Sequence, residues 1–291
     1  MSLSYRDLFL VLLVVVTWGA HVPIMKLGVM TVEPISLNAL RYIFTALLFL
    51  PFSEKLPKQD ILKLIPVSIF FVCGNLIFAY LALTYITSNS FVIMVQIALP
   101  MTILLAYFFF NEKFGLPTTI GILISFIGLL IVFGAPDILA SPIGAVLTCL
   151  AALSWSIGSI AMKRTGHIKP ASFLGYAYLM GIPVAVLCSY IFDTNPIERI
   201  ASADKYILSF VLLYQVVFMG FMTLVWGGLM ARNSAQYVTP FLMLQPVFGV
   251  ILAYYLLDET LNPNLIYGGI LVLIGIGIVN YRMIIRKKIT N

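Results

Sequence analysis

Ten apolar stretches, each about as long as a bilayer is thick, follow one another along this chain with little between them. A helix rising 1.5 Å per residue needs about 20 apolar residues to cross roughly 30 Å of hydrocarbon. Charges, prolines and polar turns bound such stretches at about 8–27, 34–52, 63–84, 88–110, 116–133, 142–162, 171–192, 206–230, 236–257 and 263–281. The gaps at Thr84–Thr87 and Gly134–Ser141 are short, which forces antiparallel neighbours. Composition agrees: 62% of the 291 residues are apolar and 10% are charged, against about 25% charged in an average soluble chain. That is too little charge to cover a water-facing surface, so lipid must solvate most of it. The expected fold class is all-α integral membrane, with ten transmembrane helices and the lipid bilayer as a standing partner.

Lysines and arginines in short loops accumulate on the cytoplasmic face, so their placement tests the helix count. Ten spans put thirteen of the seventeen on one side, Lys26, Arg199 and Lys205 on the other, and Arg41 inside the second helix. Adding or removing one early helix would destroy that asymmetry. Both termini are therefore expected in the cytoplasm. The net charge of +6 follows from this topology and calls for no nucleic-acid partner. The first stretch carries Trp18, His21 and Lys26 and is not followed by a small-residue cleavage pattern, so it reads as a retained helix. Cys73, Cys149 and Cys188 fall inside apolar runs without metal-type spacing.

The chain also repeats itself. Ala106-Tyr107 and Asn111-Glu112 match Ala253-Tyr254 and Asp258-Glu259 at an offset of 147, and the same offset carries Gly121 onto Gly268 and Gly128 onto Gly275. Nearer the start of each half, Trp18 and Met25-Lys26 match Trp155 and Met162-Lys163 at an offset of 137; the ten extra residues fit the polar loop Asp193–Lys205. Two units follow, residues 1–135 and 142–291, each of five helices. Because five is odd, the second enters the membrane from the opposite side, giving inverted repeats. Such repeats are a recurrent architecture of secondary transporters, where two similar halves give inward-open and outward-open states of comparable energy. Transport of a small-molecule substrate is the expectation; duplication without alternating access is the alternative. The spaced glycines let the fifth and tenth helices approach a neighbour closely, either within one chain or at a dimer face, so a monomer and a homodimer both remain open.

Thr17-Trp18-Gly19 followed by Lys26, Arg41 in the second helix, Leu257-Asp258-Glu259 closing the ninth and the spaced glycines of the tenth together resemble the EamA family of the drug/metabolite transporter superfamily. The resemblance covers essentially the whole chain and is closest to bacterial exporters of amino acids and related metabolites. It implies a ten-helix inverted-repeat fold, a central substrate cavity between the halves and residence in a bacterial inner membrane. His21 departs from the asparagine found there in the exporter this chain most resembles, so the resemblance leaves the substrate open.

No acidic residue lies in the middle of an expected helix. Exporters of lipophilic cations usually need an intramembrane carboxylate, which counts against a cationic multidrug pump; a nucleoside or other metabolite transporter of the same fold is the nearer alternative. Glu112 and Glu259 are expected to favour the positive ends of the helices that follow them. Arg41 enters the membrane zone by about 10 Å, as a counter-charge for a substrate carboxylate or as a snorkelling guanidinium. Lys26 and Lys163 sit at helix ends, for snorkelling or gating. His21 shares a helix face with Trp18 and titrates near neutrality, as a proton-coupling group or a hydrogen-bonded interior histidine. Trp18 and Trp155 are too deep for the aromatic belt, and either pack between helices or wall the cavity; Trp226 reads as belt. Asn75, Gln96 and Gln245 must find partners inside the protein, with Pro100 and Pro246 close enough to free backbone carbonyls or form hinges. The candidate substrate-binding set is thus Trp18, His21, Arg41, Asn75, Gln96, Trp155 and Gln245, and the gating or structural set Lys26, Lys163, Pro100 and Pro246. No metal spacing, Ser/His/Asp set or intramembrane aspartyl pair is present, so neither a cofactor nor catalysis is expected, and the loops are too short for the docking domains of a non-transporting interaction protein.

Overall fold

A computed structural model describes the backbone of residues 4–110, 115–233 and 235–290, and their side chains except at 110, 235–236 and 280–290. Glu112 and Lys113 lie outside the described residues, as do the side chains of Arg282, Arg286, Lys287 and Lys288. Every regular element among the described residues is helical, as a chain without water around it requires: a helix satisfies its own backbone groups.

In chain order the long elements are α1 (Tyr5–Val29), α2 (Pro34–Phe52), α3 (Lys58–Tyr85), α4 (Ser88–Phe109), α5 (Leu116–Val132), α6 (Pro142–Met162), α7 (Pro170–Phe192), α8 (Lys205–Arg232), α9 (Thr239–Leu257) and α10 (Pro263–Thr290). Eight are long and apolar enough to cross a membrane; α5 and the apolar part of α10, Pro263–Val279, are shorter. Proline opens α2, α5, α6, α7 and α10, where its missing N–H costs nothing. Short helices, Pro136–Ala140 and Pro196–Ser202, lie between α5 and α6 and between α7 and α8. Large apolar side chains such as Leu47, Phe108, Leu130 and Tyr255 face outward, the pattern of a surface solvated by lipid.

Irregular turns inside α3, α4, α8 and α9 fall at matching places in the two halves. In α3, Pro66 is followed by a wide, π-type turn over Ser68–Gly74; α8 has one over Tyr214–Phe218. In α4 the helix tightens over Val95–Ile97 before Pro100, and α9 starts tight over Thr239–Leu244 before Pro246. Both prolines sit in the first turn of the regular run that follows, where a missing N–H is tolerated. Such turns leave carbonyls for other partners: the Tyr42 hydroxyl donates to Val72 O at 2.6 Å.

Close packing rests on small residues. A Cβ added at Gly128 would lie 2.7 Å from Gly268 O, and one at Gly268 would lie 2.6 Å from Gly128 O. Gly121 faces Gly275 in the same way, and between the two pairs Ser125 Oγ donates to Val272 O at 3.4 Å. The helices α5 and α10 therefore run antiparallel with backbones touching. On the far side of the bundle α2 and α7 are also antiparallel: Ser36 at the start of α2 meets Asp193 at the end of α7, and Ser53 near the end of α2 meets Ala171 near the start of α7. Gly19 of α1 packs against Phe248 and Gln245 O of α9, and Gly158 of α6 against Phe71 of α3.

Candidate functional site

A buried polar cluster forms around Arg41. Arg41 is 4% exposed, and the groups around its guanidinium, His21, Tyr80, Tyr178 and Gln215, come from four other helices. Its Nη1 donates to His21 Nε2 of α1 at 2.8 Å and to Gln215 Oε1 of α8 at 3.4 Å. Its Nη2 donates to the Tyr178 hydroxyl of α7 at 3.5 Å, and the charge sits 6.0 Å from the centre of the Tyr178 ring. The Tyr80 hydroxyl of α3 donates to the same Gln215 oxygen, and Tyr42 stands edge-on to Tyr178 at 5.3 Å.

Chemically the cluster is one-sided. Every partner of Arg41 is neutral, and a guanidinium can only donate, so His21 Nε2 carries no proton while the bond lasts. Arg41 Nε and Gln215 Nε2 are buried without an acceptor, although buried donors are almost always paired. The site therefore combines an uncompensated positive charge with two spare donors, and Arg41 and Gln215 have almost no contact with solvent. It can hold an anion once the helices around it part. Among the described residues, no group of acidic, cysteine or histidine side chains could hold a metal ion.

Of the residues singled out from sequence, His21 and Arg41 meet directly. Trp18 packs on Trp226 with ring centres 5.4 Å apart, its Nε1 buried without a partner. Trp155 is 42% exposed and packs against Phe71, ring centres 4.3 Å apart and planes tilted by 35°. Asn75 donates to Ala151 O of α6 at 3.1 Å, tying α3 to α6. Gln96 and Gln245 are half-buried at the two tightened turns. Lys163 is exposed at the end of α6. Sequence reasoning missed Tyr80, Tyr178 and Gln215. Tyr178 carried a usable signal, since it stands 137 positions after Arg41, the offset of the repeat in that part of the chain. Gln215 carried a second, as the amide in the middle of an apolar run.

Charged groups near the helix ends do a different job. Lys26 Nζ donates to Leu83 O and, at 3.0 Å, to Ile86 O, so its charge lies against the last carbonyls of α3, where a cation opposes the helix dipole. Its amine thus satisfies carbonyls that the end of α3 leaves without intrahelical partners. Glu259 accepts from Ser88 N, Ser88 Oγ and Asn89 N at 2.8 to 2.9 Å. It thereby caps α4, where the sequence suggested the helix following it, because the end of α9 packs beside the turn between α3 and α4. Asp137 grips the same turn through Thr87 N and Oγ1, at 3.0 and 2.9 Å, and Asp193 caps α2 through Ile35 N, Ser36 N and Ser36 Oγ. The opposite face is held by exposed pairs, Arg232 with Asp7 at 3.2 Å and Lys169 with Glu54.

The model of the EamA-like transporter family matches residues 6–134 and again 142–281. The chain is 28% identical to a probable amino-acid metabolite efflux pump of Salmonella typhimurium over 94% of each chain, and 28% identical to one of the same description from Escherichia coli over 99% of each. An uncharacterized transporter of Bacillus subtilis is 24% identical over 90% of this chain and 92% of that one. Among solved structures, a crystal structure at 15% identity superposes with a TM-score of 0.63 over 94% of this chain and 96% of that chain, a likeness of fold. With two family units matched in tandem, long apolar helices and a buried polar site, this chain belongs to the EamA-like transporter family and is a multi-pass membrane transporter, not an enzyme.

Proposed function

We propose that the protein exports a small polar metabolite, an amino acid or a derivative of one, across a bacterial inner membrane by alternating access. Arg41 carries the reading: a buried guanidinium surrounded by neutral groups from four other helices, with spare donors beside it. An unpaired buried charge costs several kcal/mol, and a bound carboxylate would recover much of that. Arg41 is the counter-charge for that carboxylate and His21 its resting partner. Trp18, Gln96, Trp155 and Gln245 line the route as helices move, Asn75 holds α3 to α6, and Pro100 and Pro246 mark the turns of α4 and α9 that absorb the bend. Lys26 and Lys163, at repeat-equivalent helix ends, take the gating or structural roles.

The architecture we infer is ten membrane-crossing helices in two inverted five-helix units, 1–135 and 142–291, with both termini in the cytoplasm. Three observations support it. The contacts of α5 with α10 are reciprocal: Gly121 meets Gly275 and Gly128 meets Gly268, while the repeat relates Gly121 to Gly268 and Gly128 to Gly275. Reciprocity of that kind is the mark of two equivalent surfaces about a two-fold axis. Ser125 and Val272, also repeat equivalents, touch where that axis would cross α5 and α10, and Arg41 and Tyr178 do so between α2 and α7. The tightened turns of α4 and α9 end at Ile97 and Leu244, the offset of 147 that relates the glycines. Amino-acid export is a description carried by the relatives from Salmonella typhimurium and Escherichia coli, and it fits a site that favours carboxylates.

Counterflow in proteoliposomes tests the function: liposomes loaded with unlabelled amino acids and acetylated derivatives should accumulate the labelled compound, and Arg41→Gln should abolish this at equal protein content. Accumulation that persists in Arg41→Gln, or none with any carboxylate, would overturn the assignment. Labelling of single cysteines at both termini from the same face of the membrane is the companion expectation; opposite faces would sink the ten-helix topology.

A further inference from the structure

The site as built answers a question that the export reading leaves open, and it rests on that reading of Arg41. We propose that the Arg41 site selects carboxylates that carry no ammonium group, such as N-acylated amino acids and 2-hydroxy acids, over free zwitterionic amino acids.

A zwitterion brings two charges into a closed site, and each needs a partner there. The carboxylate finds one: Arg41 Nε and Gln215 Nε2 are both buried and without acceptors, and the two side chains are already in contact at 3.4 Å. One carboxylate can take both donors while facing the guanidinium charge, the arrangement in which a charge-assisted hydrogen bond is strongest.

The ammonium finds no charged partner: the buried oxygens left without partners within a turn of Arg41 on α2, Asn38 Oδ1 and Thr45 Oγ1, are neutral. The groups that face Arg41 are His21, Gln215, Tyr178 and Tyr80, none of which is a carboxylate. The described acidic residues within or beside these helices are spent elsewhere: Asp7 pairs with Arg232, Glu33 with Arg199, Glu54 with Lys169 and Asp60 with Lys63, while Asp193 caps α2 and Asp204 caps α8. The Tyr178 face that could accept a cation already holds Arg41 at 6.0 Å, and two cations over one ring would repel each other. Net charge decides the matter. A site of charge +1 is neutralised by a monoanion, whereas a zwitterion leaves it at +1 with an extra ion desolvated.

Affinities taken from ligand-dependent melting temperatures of the purified full-length protein test this, since a ligand that binds only the folded form raises stability by an amount set by its Kd. The probes are L-alanine, N-acetyl-L-alanine, L-lactate and L-alaninamide, with L-phenylalanine, N-acetyl-L-phenylalanine and L-phenyllactate as a bulkier series. Within at least one series the acetylated and hydroxy acids should bind at least about tenfold more tightly than the free amino acid, and alaninamide should not bind. Arg41→Gln should remove the binding. Should that variant fold poorly, Arg41→Lys keeps the charge but loses the planar fork and should weaken acid binding while preserving the order of preference. Free amino acids binding as tightly as their acetylated forms, still dependent on Arg41, would overturn the selectivity alone. Absence of binding by every carboxylate, or binding that survives Arg41→Gln, would overturn the Arg41 site itself.

Discussion

Arg41 donates a 2.8 Å hydrogen bond to His21 Nε2, which makes the histidine an acceptor in a site otherwise short of acceptors. The role requires a lone pair at the right place; it does not require a group that titrates. His21→Gln supplies an amide oxygen that can play the same part, while His21→Leu leaves Nη1 with a single long bond to Gln215. Removing one partner of a buried charged donor costs about 1.5–3 kcal/mol. Transport should therefore fall at least tenfold in His21→Leu and stay within a few-fold of wild type in His21→Gln. The pH profile of transport between pH 5.5 and 7.5 should be unchanged in His21→Gln, and a profile that flattens there would assign His21 to proton coupling instead.

The α5–α10 contact predicts where the bundle tolerates no added atom. A Cβ at Gly128 or Gly268 would come within 2.7 Å of backbone on the facing helix, and backbone cannot move aside as a flexible side chain can. Overpacking of this kind costs about 1–3 kcal/mol. Gly128→Ala and Gly268→Ala should each lower the melting temperature of the purified protein by several °C. Gly166→Ala, whose added atom would meet nothing within 4 Å, should leave it unchanged. Equal melting temperatures for all three variants would remove close backbone packing from the account.

Much of this was open to a reader of the sequence, because lipid imposes simple rules. The apolar stretches had to be helices, and the spaced glycines had to bring helices together. What could not be read were contacts between distant parts of the chain. Lys26 and Glu259 are 233 positions apart, yet they grip the two sides of one turn, Lys26 through Ile86 O and Glu259 through Ser88 N. In sequence each looked like a charge serving its own helix end. Arg41 was visible as an anomaly, but whether it faced lipid headgroups, loop carbonyls or a site depended on Tyr178 and Gln215, 137 and 174 positions further on. Tyr80 shows the limit most clearly: it sits in an apolar run, and its bonds to Gln215 and Arg41 are what mark it as part of the cluster.

Asp193 stands where α7 ends and α2 begins, and it ties the two together through three hydrogen bonds, two of them to Ser36. Because Ser36 Oγ and Ser36 N share one carboxylate oxygen, Asp193→Ala and Ser36→Ala should not add. Residues in one hydrogen-bond network show coupling of about 0.5–3 kcal/mol. Unfolding of the two single variants and the double variant should show the double variant losing less stability than the sum of the singles. Strict additivity would mean that the contact contributes little.

The turn between α3 and α4 is held by charge from three directions, and this makes its opening measurable. Lys26 binds the carbonyls that end α3, Asp137 binds Thr87, and Glu259 binds the first amides of α4. Hydrogen bonds to a charged acceptor are worth about 1.5–3 kcal/mol, which corresponds to roughly 10- to 100-fold in a local opening equilibrium at about 1.4 kcal/mol per decade. Glu259→Ala should therefore speed amide exchange at Ser88 and Asn89 by about that factor. Glu259→Gln, which keeps one accepting oxygen but loses the charge and the second, should fall between it and wild type. Exchange within α5, which Glu259 does not touch in any of these bonds, should stay as it was. If this turn must release for the helices around Arg41 to part, Glu259→Ala should also raise the rate at which a cysteine introduced at Thr87 is modified from outside the membrane. Faster exchange without faster modification would mean that the cap stabilises α4 but takes no part in opening that face.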